Sequence, residues 1–331
     1  HAHGAGLSAP PVSLLVAFSM LGPVTIHMIL PSLPHLQAEF GADFATTQLL
    51  ISLFVLAFGG GQVLVGPLAD LWGRRTVLCG GMALFTLSSV LCAMAPSLEA
   101  LIALRVVQGL AACTGTVLSR AIIREFHAPA ASTRILGYLA MGISIGPIVA
   151  PTAGGVLFEM AGWRTPYWTL AVLGLANTAL ALALIPRQAR GVEGGGLRRL
   201  ATDIRQLIRD RQFLASWLTV CFNAGCVFTF IANASLVSNM ALGLSPAAFG
   251  MWFGLGAVGY IIGNFIAGRL ASRFNAMKVL GIGVIAVAAG AAALVIVFAL
   301  GIARPLPVFG LFSFIMLVRG LVMPIAFSGS M

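Results

Sequence analysis

Ten runs of mostly apolar residues, separated by short polar stretches, restrict what this chain can fold into. A run of about 20 such residues crosses the hydrocarbon core of a bilayer as one helix, in which every backbone hydrogen bond is satisfied internally. Spans are predicted at Leu14–Leu36, Thr47–Pro67, Thr76–Ala95, Leu98–Ile122, Ile135–Phe158, Pro166–Ile185, Phe213–Ser238, Ala247–Ala271, Met277–Ile302 and Leu306–Phe327. The sequence therefore predicts an all-α integral membrane protein with about ten transmembrane helices.

The composition excludes several classes of protein. Only 8% of the residues are charged, against about 25% in a soluble domain. The net charge of +10 falls in bursts between apolar runs, so no nucleic-acid partner is expected. The five cysteines lie inside apolar runs without metal-ligand spacing, so no metal site is expected. The chain has neither a His-Glu-x-x-His pattern nor a Walker sequence, which argues against an enzyme and against an ATP-driven pump.

The positive charges predict the orientation in the membrane. Of the nineteen Lys and Arg residues, fifteen fall in loops that share one side with the N-terminus. Arg164 and Arg304 fall on the other side, and Arg105 and Arg319 lie within spans. Since positive loops stay in the cytoplasm, the N-terminus is predicted to be cytoplasmic in a multi-pass protein of the bacterial inner membrane.

An internal repeat predicts two halves of six helices each. Gly66–Leu78 follows the second span, and the similar segment Gly268–Leu280 follows the eighth, 202 residues later. The second half is then incomplete, with only its first four helices present. The predicted domains are an N-terminal six-helix bundle (1–186), a cytoplasmic basic linker (187–211) with a surface helix at Leu197–Ile208, and an incomplete C-terminal bundle (212–331).

The loop between the second and third spans carries the motif Gly66-x-Leu-Ala-Asp70-x-x-Gly73-Arg74-Arg75. Glycines permit a tight turn and close helix approach, and Asp70 is suited to pair with a nearby arginine or to cap a helix. This motif resembles the one in the same loop of the major facilitator superfamily. The resemblance implies the fold of that family, two six-helix bundles, and a loop that latches the cytoplasmic side in the outward-facing state.

The fourth span contains Arg105-Val-Val-Gln108-Gly109, which resembles a second pattern of the same family. An arginine about seven residues inside a span is costly, so it normally faces a cavity or a partner. The resemblance implies that Arg105 takes part in proton coupling, with Gln108 on the same helix face. The alternative is an arginine that snorkels toward the headgroups.

Small residues and prolines recur through the fifth span, including Gly146, Ala150, Pro151, Gly154 and Gly155. Small residues four apart let another helix approach closely, which any helix bundle could require. The pattern also resembles the antiporter motif of drug-efflux facilitators, with Ala150 in place of a glycine. That resemblance implies an exporter rather than an uptake symporter.

The first span ends His27-Met-Ile-Leu-Pro31-Ser-Leu-Pro34, which looks like the bicyclomycin/chloramphenicol-resistance branch of the family. His27 stands where that branch carries an acidic residue. An imidazole can still exchange a proton near neutral pH, but a purely structural histidine is the open alternative. Asn223 in the seventh span and Arg319 in the tenth complete the predicted substrate and proton pathway.

These patterns predict a secondary transporter that expels small hydrophobic or amphipathic drug-like compounds in exchange for protons. It would need no cofactor beyond the proton gradient and is expected to work as a monomer in the lipid bilayer, with a small molecule and protons as its partners. The alternative is an exporter or facilitator of an endogenous small metabolite, because His27 removes the carboxylate that would attract cationic drugs.

Overall fold

The computed structural model describes residues 9–186, 211–270 and 276–328, and all regular structure within those ranges is helical. The first span consists of a helix at Val12–Ile29, a 3-10 turn at Leu30–Ser32 and a short helix at Leu33–Glu39. The second to tenth spans are the helices Phe44–Trp72, Arg74–Ala93, Leu98–Phe126, Pro129–Ala161, Arg164–Leu184, Arg211–Leu242, Pro246–Leu270, Ala276–Ala299 and Pro305–Ser328.

Each of these helices covers one predicted span, so the predicted element order is confirmed. Over the described residues, nine helices are long and apolar enough to cross a membrane. The helix at Arg211–Leu242 covers the seventh predicted span, and about half of its side chains are described. The predicted linker at 187–211 and its surface helix lie almost wholly outside the described residues, so that division stays a prediction.

The described chain divides into two compact units. The first unit contains the chain up to Ile29, residues His35–Gly146, and the sixth span with the residues from Met160 that lead into it. The second contains Leu30–Pro34, Pro147–Glu159 and the seventh to tenth spans. The fifth span therefore contributes one part to each unit, changing from one to the other at Pro147.

In the first unit, the second and fourth spans pack backbone against backbone. A methyl group at Gly109 of the fourth span would overlap the carbonyl oxygen of Phe54 in the second. In the second unit, a methyl group at Gly320 of the tenth span would overlap the carbonyl oxygen of Tyr260 in the eighth. Each unit therefore contains a glycine that lets two of its helices approach closely, the second and fourth spans in one and the eighth and tenth in the other.

Prolines break the first span near its outer end. Pro31 lies in the 3-10 turn and Pro34 in the first turn of the following short helix, where a missing backbone N–H is tolerated. Asp43 then begins the second span, because its carboxylate accepts the N–H of Thr46 at 3.1 Å. Hydrogen bonds from the side chain and from the backbone N–H of Thr46 lower the pKa of Asp43 below its usual value.

The short helix is fastened to the start of the sixth span through one carboxylate. Glu39 accepts a hydrogen bond from the indole N–H of Trp163 at 2.7 Å. Its oxygens also lie 3.6 Å from Arg164 and 3.1 Å from the Nε2 of His35. The Arg164 guanidinium lies 4.1 Å from the Trp163 ring centroid. Trp163 is buried and anchors this contact.

Candidate functional site

Arg105 forms the centre of a polar cluster inside the first unit. It is fully buried, and its Nε donates to the carbonyl oxygen of Leu50 at 3.1 Å. Its Nη1 donates to the side-chain oxygen of Gln108 at 2.7 Å, and the guanidinium carbon lies 4.1 Å from the Phe54 ring centroid. Gln108 in turn donates to the hydroxyl of Ser89 at 2.7 Å. The network joins the second, third and fourth spans and excludes the snorkelling alternative.

A tyrosine that the sequence did not single out belongs to the same cluster. Tyr167 of the sixth span is fully buried and interacts electrostatically with Arg105. The Arg105 Nη2 and the Tyr167 hydroxyl have no hydrogen-bond partner among the described residues. Arg105 also has no carboxylate partner there, so a positive charge is held in a low-dielectric interior. The sequence does not distinguish Tyr167 from its neighbour Trp168, which is an aromatic residue as well but is exposed.

His27 lies near the end of the first helix and is buried. Its Nδ1 is 2.7 Å from the carbonyl oxygen of Pro23, one turn earlier. Since a carbonyl oxygen only accepts, Nδ1 carries the proton and Nε2 is the nitrogen at which a proton is gained or lost. The hydrogen-bond partners of Arg105 do not include His27. The part of His27 in proton coupling stays a prediction.

The loop motif after the second span becomes a one-residue turn. Gly73 alone separates Trp72 from Arg74, with a φ of 84° that L side chains rarely adopt. Its N–H donates to the carbonyl oxygen of Ala69 at 2.9 Å and completes the helix end. Gly66, by contrast, has open space where a Cβ would lie, so it is not needed for close packing.

The two arginines after this turn bind different parts of the first unit. Arg74 forms an ion pair with Glu125 near the end of the fourth span. Arg75 donates to the carbonyl oxygen of Leu182 in the sixth span at 2.5 Å. Asp70 is exposed, and within the described ranges it forms no ion pair with either arginine. The expected pairing of Asp70 with a neighbouring arginine is therefore not observed there.

Replacing Gly73 with alanine should strain this turn. We expect a loss of about 1 kcal/mol or more, because a Cβ at positive φ is unfavourable. Thermal unfolding of the purified full-length protein measures this loss, and Gly66→Ala is the matched control with open space. Equal melting temperatures for Gly73→Ala and the wild type would show that the turn readjusts without strain.

The fifth span packs on the eighth through its small residues within the second unit. A methyl group at Gly155 would overlap the carbonyl oxygen of Pro246, and one at Gly250 would overlap that of Pro151. Glu159 accepts the backbone N–H of Ala247 at 3.0 Å, which satisfies a donor at the start of the eighth span. The carboxylate also lies at the positive end of that helix.

The remaining small residues of the motif are also buried. Ala150 and Gly154 are buried. Gly146 belongs to the first unit, where an added Cβ would lie 3.3 Å from a Val24 methyl and 3.5 Å from Pro23. The predicted close approach is thus present on both sides of Pro147, and it is tightest at Gly155.

A largely apolar cavity of about 580 Å³ lies in the second unit between the seventh, ninth and tenth spans. Its aromatic lining residues are Phe230, Phe298 and Phe309. Asn233 and Ser238 are the polar ones, and none of the described residues that line it is charged. The sequence did not predict this cavity, since its walls come from three helices distant in the chain.

Arg319, another predicted pathway residue, is not among the residues that line this cavity. The side chain of Asn223 lies outside the described set, so its role stays a prediction. Arg319 is partly buried in the tenth span, with its guanidinium 6.0 Å from the Tyr260 ring centroid. In the first unit, Arg105 likewise lies beside an aromatic ring, that of Phe54, although Gln108 is the residue that the alignment of Gly109 with Gly320 places opposite Arg319.

Comparison with known proteins places these features in a family. Residues 13–331 match the sequence model of the Major Facilitator Superfamily. The Uncharacterized MFS-type transporter YdgK of Bacillus subtilis (strain 168) is 33% identical over 277 residues, covering 82% of this chain and 69% of that protein. The Chloramphenicol resistance protein of Pseudomonas aeruginosa is 29% identical, covering 87% and 68%. Multidrug resistance protein D of Escherichia coli (strain K12) is 27% identical, covering 80% and 66%.

The chain thus spans about two thirds of the length of these relatives. Among solved structures, its fold is similar to the crystal structure of a bacterial homologue of the human lysosomal transporter Spinster in an inward-facing and occupied conformation. The TM-score is 0.76 at 18% sequence identity, covering 96% of this chain and 73% of that chain. A likeness at that identity concerns the fold alone.

Proposed function

This chain belongs to the major facilitator superfamily, and we propose that it exports small hydrophobic or amphipathic drug-like compounds by proton-coupled antiport. It is a multi-pass membrane transporter of small molecules rather than an enzyme. The proposed location is the bacterial inner membrane, with the N-terminus in the cytoplasm. The protein works as a monomer and uses the proton gradient without a cofactor.

The apolar cavity of the second unit carries the proposal for the substrate. Its volume of about 580 Å³ falls within the roughly 300–1,000 Å³ typical of sites for drug-sized ligands. Aromatic and aliphatic walls favour apolar compounds of varied shape, and Asn233 and Ser238 offer hydrogen bonds to a polar group. The lining residues lie toward the helix ends that, according to the charge distribution, face the outside of the cell.

The fifth span supports export rather than uptake. Its small residues resemble the antiporter motif, and Gly155 lies against the backbone of the eighth span. Two similar proteins are named for chloramphenicol and multidrug resistance. Antiport requires only two conformations and a site at which substrate and proton binding oppose each other.

Transport of chloramphenicol by the full-length protein in proteoliposomes tests this function. Adding the compound under an imposed proton gradient should give its accumulation together with proton release. Val237→Trp should abolish both by filling the cavity, because Val237 is one of its lining residues. Met240→Trp is the matched control, since Met240 lies on the same helix and is 78% exposed. Equal transport by both variants would contradict a substrate site in this cavity.

Export of an endogenous metabolite is the second candidate, and His27 favours it. The related drug-resistance branch carries an acidic residue at the position of His27. A neutral imidazole does not attract a cationic drug as a carboxylate would. Proton release on addition of neutral metabolites, with none on addition of drugs, would support this alternative.

His27→Gln is expected to remove the dependence of efflux on pH that this histidine controls. Glutamine keeps the size and a hydrogen-bond donor but does not titrate in this range. His27→Asp should restore coupling while favouring cationic compounds. The measurement is initial efflux rate against pH in proteoliposomes. An unchanged profile for His27→Gln would show that the histidine is structural and that another group is protonated.

A further inference from the structure

A second cavity, of about 280 Å³, lies in the first unit between the end of the fourth span and the start of the fifth. Its volume is just below the range of about 300–1,000 Å³ for drug-sized ligands, so it suits a headgroup better than a whole drug. It has one charged wall and one apolar wall. The fourth span contributes Arg120 and Arg124, and the fifth contributes Leu136, Leu139, Ala140 and Ile143.

The charged wall holds two cations side by side. Arg120 and Arg124 are four residues apart on one helix, so they share a face and repel each other. The neighbouring carboxylate of Glu125 is paired with Arg74 instead. Among the described residues neither Arg120 nor Arg124 forms an ion pair. An anion between them would relieve the repulsion, and guanidinium groups bind phosphate oxygens in a bidentate manner.

The apolar wall follows one stripe of the fifth span. Leu136, Leu139, Ala140 and Ile143 recur at the spacing of one helix face. A small inorganic anion would gain nothing from this wall, whereas an amphiphile would lay its hydrocarbon chain along it. The two walls together therefore match a ligand with a negative headgroup and an apolar tail.

The depth of the cavity fits the membrane surface. At about 1.5 Å per residue, Arg124 lies about 3 Å and Arg120 about 9 Å from the helix end at Phe126. The charge distribution predicts that this end faces the cytoplasm, where anionic lipid headgroups attract basic residues. We propose that this cavity binds an anionic phospholipid, with its phosphate held between Arg120 and Arg124 and an acyl chain along the fifth span.

Lipid titration of the purified full-length protein tests this site. The probes are phosphatidylglycerol, phosphatidylcholine with the same acyl chains, and soluble glycerol phosphate, with bound lipid followed by native mass spectrometry. Phosphatidylglycerol should bind most tightly. Arg120→Gln with Arg124→Gln should weaken its binding by about 10- to 30-fold, given the contribution of each basic residue to anionic-lipid binding. Arg134→Gln is the matched control, since Arg134 is exposed near the same end and does not line the cavity.

A second variant keeps both arginines and fills the cavity. Ala140→Phe should also weaken phosphatidylglycerol binding. This variant tests the lipid site even if the double arginine variant does not fold. Unchanged affinity in Ala140→Phe, or in the double variant, would overturn the proposal. So would equal binding of soluble glycerol phosphate and phosphatidylglycerol, because the ligand would then be a free phosphate compound. Tighter binding of phosphatidylcholine would equally contradict it.

Discussion

Gly155→Ala is expected to reduce efflux by about tenfold or more, although alanine adds only one methyl group. The methyl would overlap the carbonyl oxygen of Pro246, which is backbone and cannot rotate away. Overpacking of this kind costs about 1–3 kcal/mol. If only one transport state contains this contact, such a cost changes its population by about 5- to 150-fold. Initial efflux rates and thermal unfolding of the full-length protein measure the two effects.

The same helix supplies a control for this prediction. Gly137 has open space where a Cβ would lie, so Gly137→Ala should be neutral or gain up to about 1 kcal/mol from helix propensity. Gly250→Ala should reproduce the loss from the other side, since its methyl would overlap the carbonyl oxygen of Pro151. Full efflux by both Gly155→Ala and Gly250→Ala would show that the fifth and eighth spans separate without cost.

Arg105→Met should abolish transport while the melting temperature stays within about 3 °C of the wild type. A buried charge without a carboxylate partner in the described ranges carries a large desolvation cost. Replacing it with an apolar residue of similar length removes that cost, which offsets the loss of the hydrogen bonds to Leu50 and Gln108. The arginine would then be retained for function, since its removal leaves the side-chain oxygen of Gln108 without its donor.

Two further variants separate charge from shape. Arg105→Lys keeps the charge but loses the planar group that reaches both Leu50 and Gln108, so partial transport is expected. Arg304→Met removes an exposed arginine and should leave transport unchanged. Transport and thermal unfolding are compared for Arg105→Met, Arg105→Lys and Arg304→Met. A melting temperature far below the wild type for Arg105→Met, with transport lost in proportion, would show that the arginine is structural.

The sequence by itself determined the positions of the helices. Hydropathy is a local property, so each apolar run indicates a span without knowledge of its neighbours. The repeat after the second and eighth spans likewise predicted equivalent helices. The contacts of Gly109 with Phe54 and of Gly320 with Tyr260 place a glycine at a close helix contact in each half.

Only the tertiary structure decided which residues form each site. Arg105 reaches Leu50, which is 55 residues away, and Tyr167 of the sixth span completes its surroundings. The overlap of Gly155 with Pro246 and the walls of the apolar cavity also join helices distant in the chain. Periodicity gives the spacing of residues along one helix, but the rotation of that helix against its neighbours depends on side-chain packing between them. Those contacts therefore follow from the assembled bundle, because no single span contains both partners.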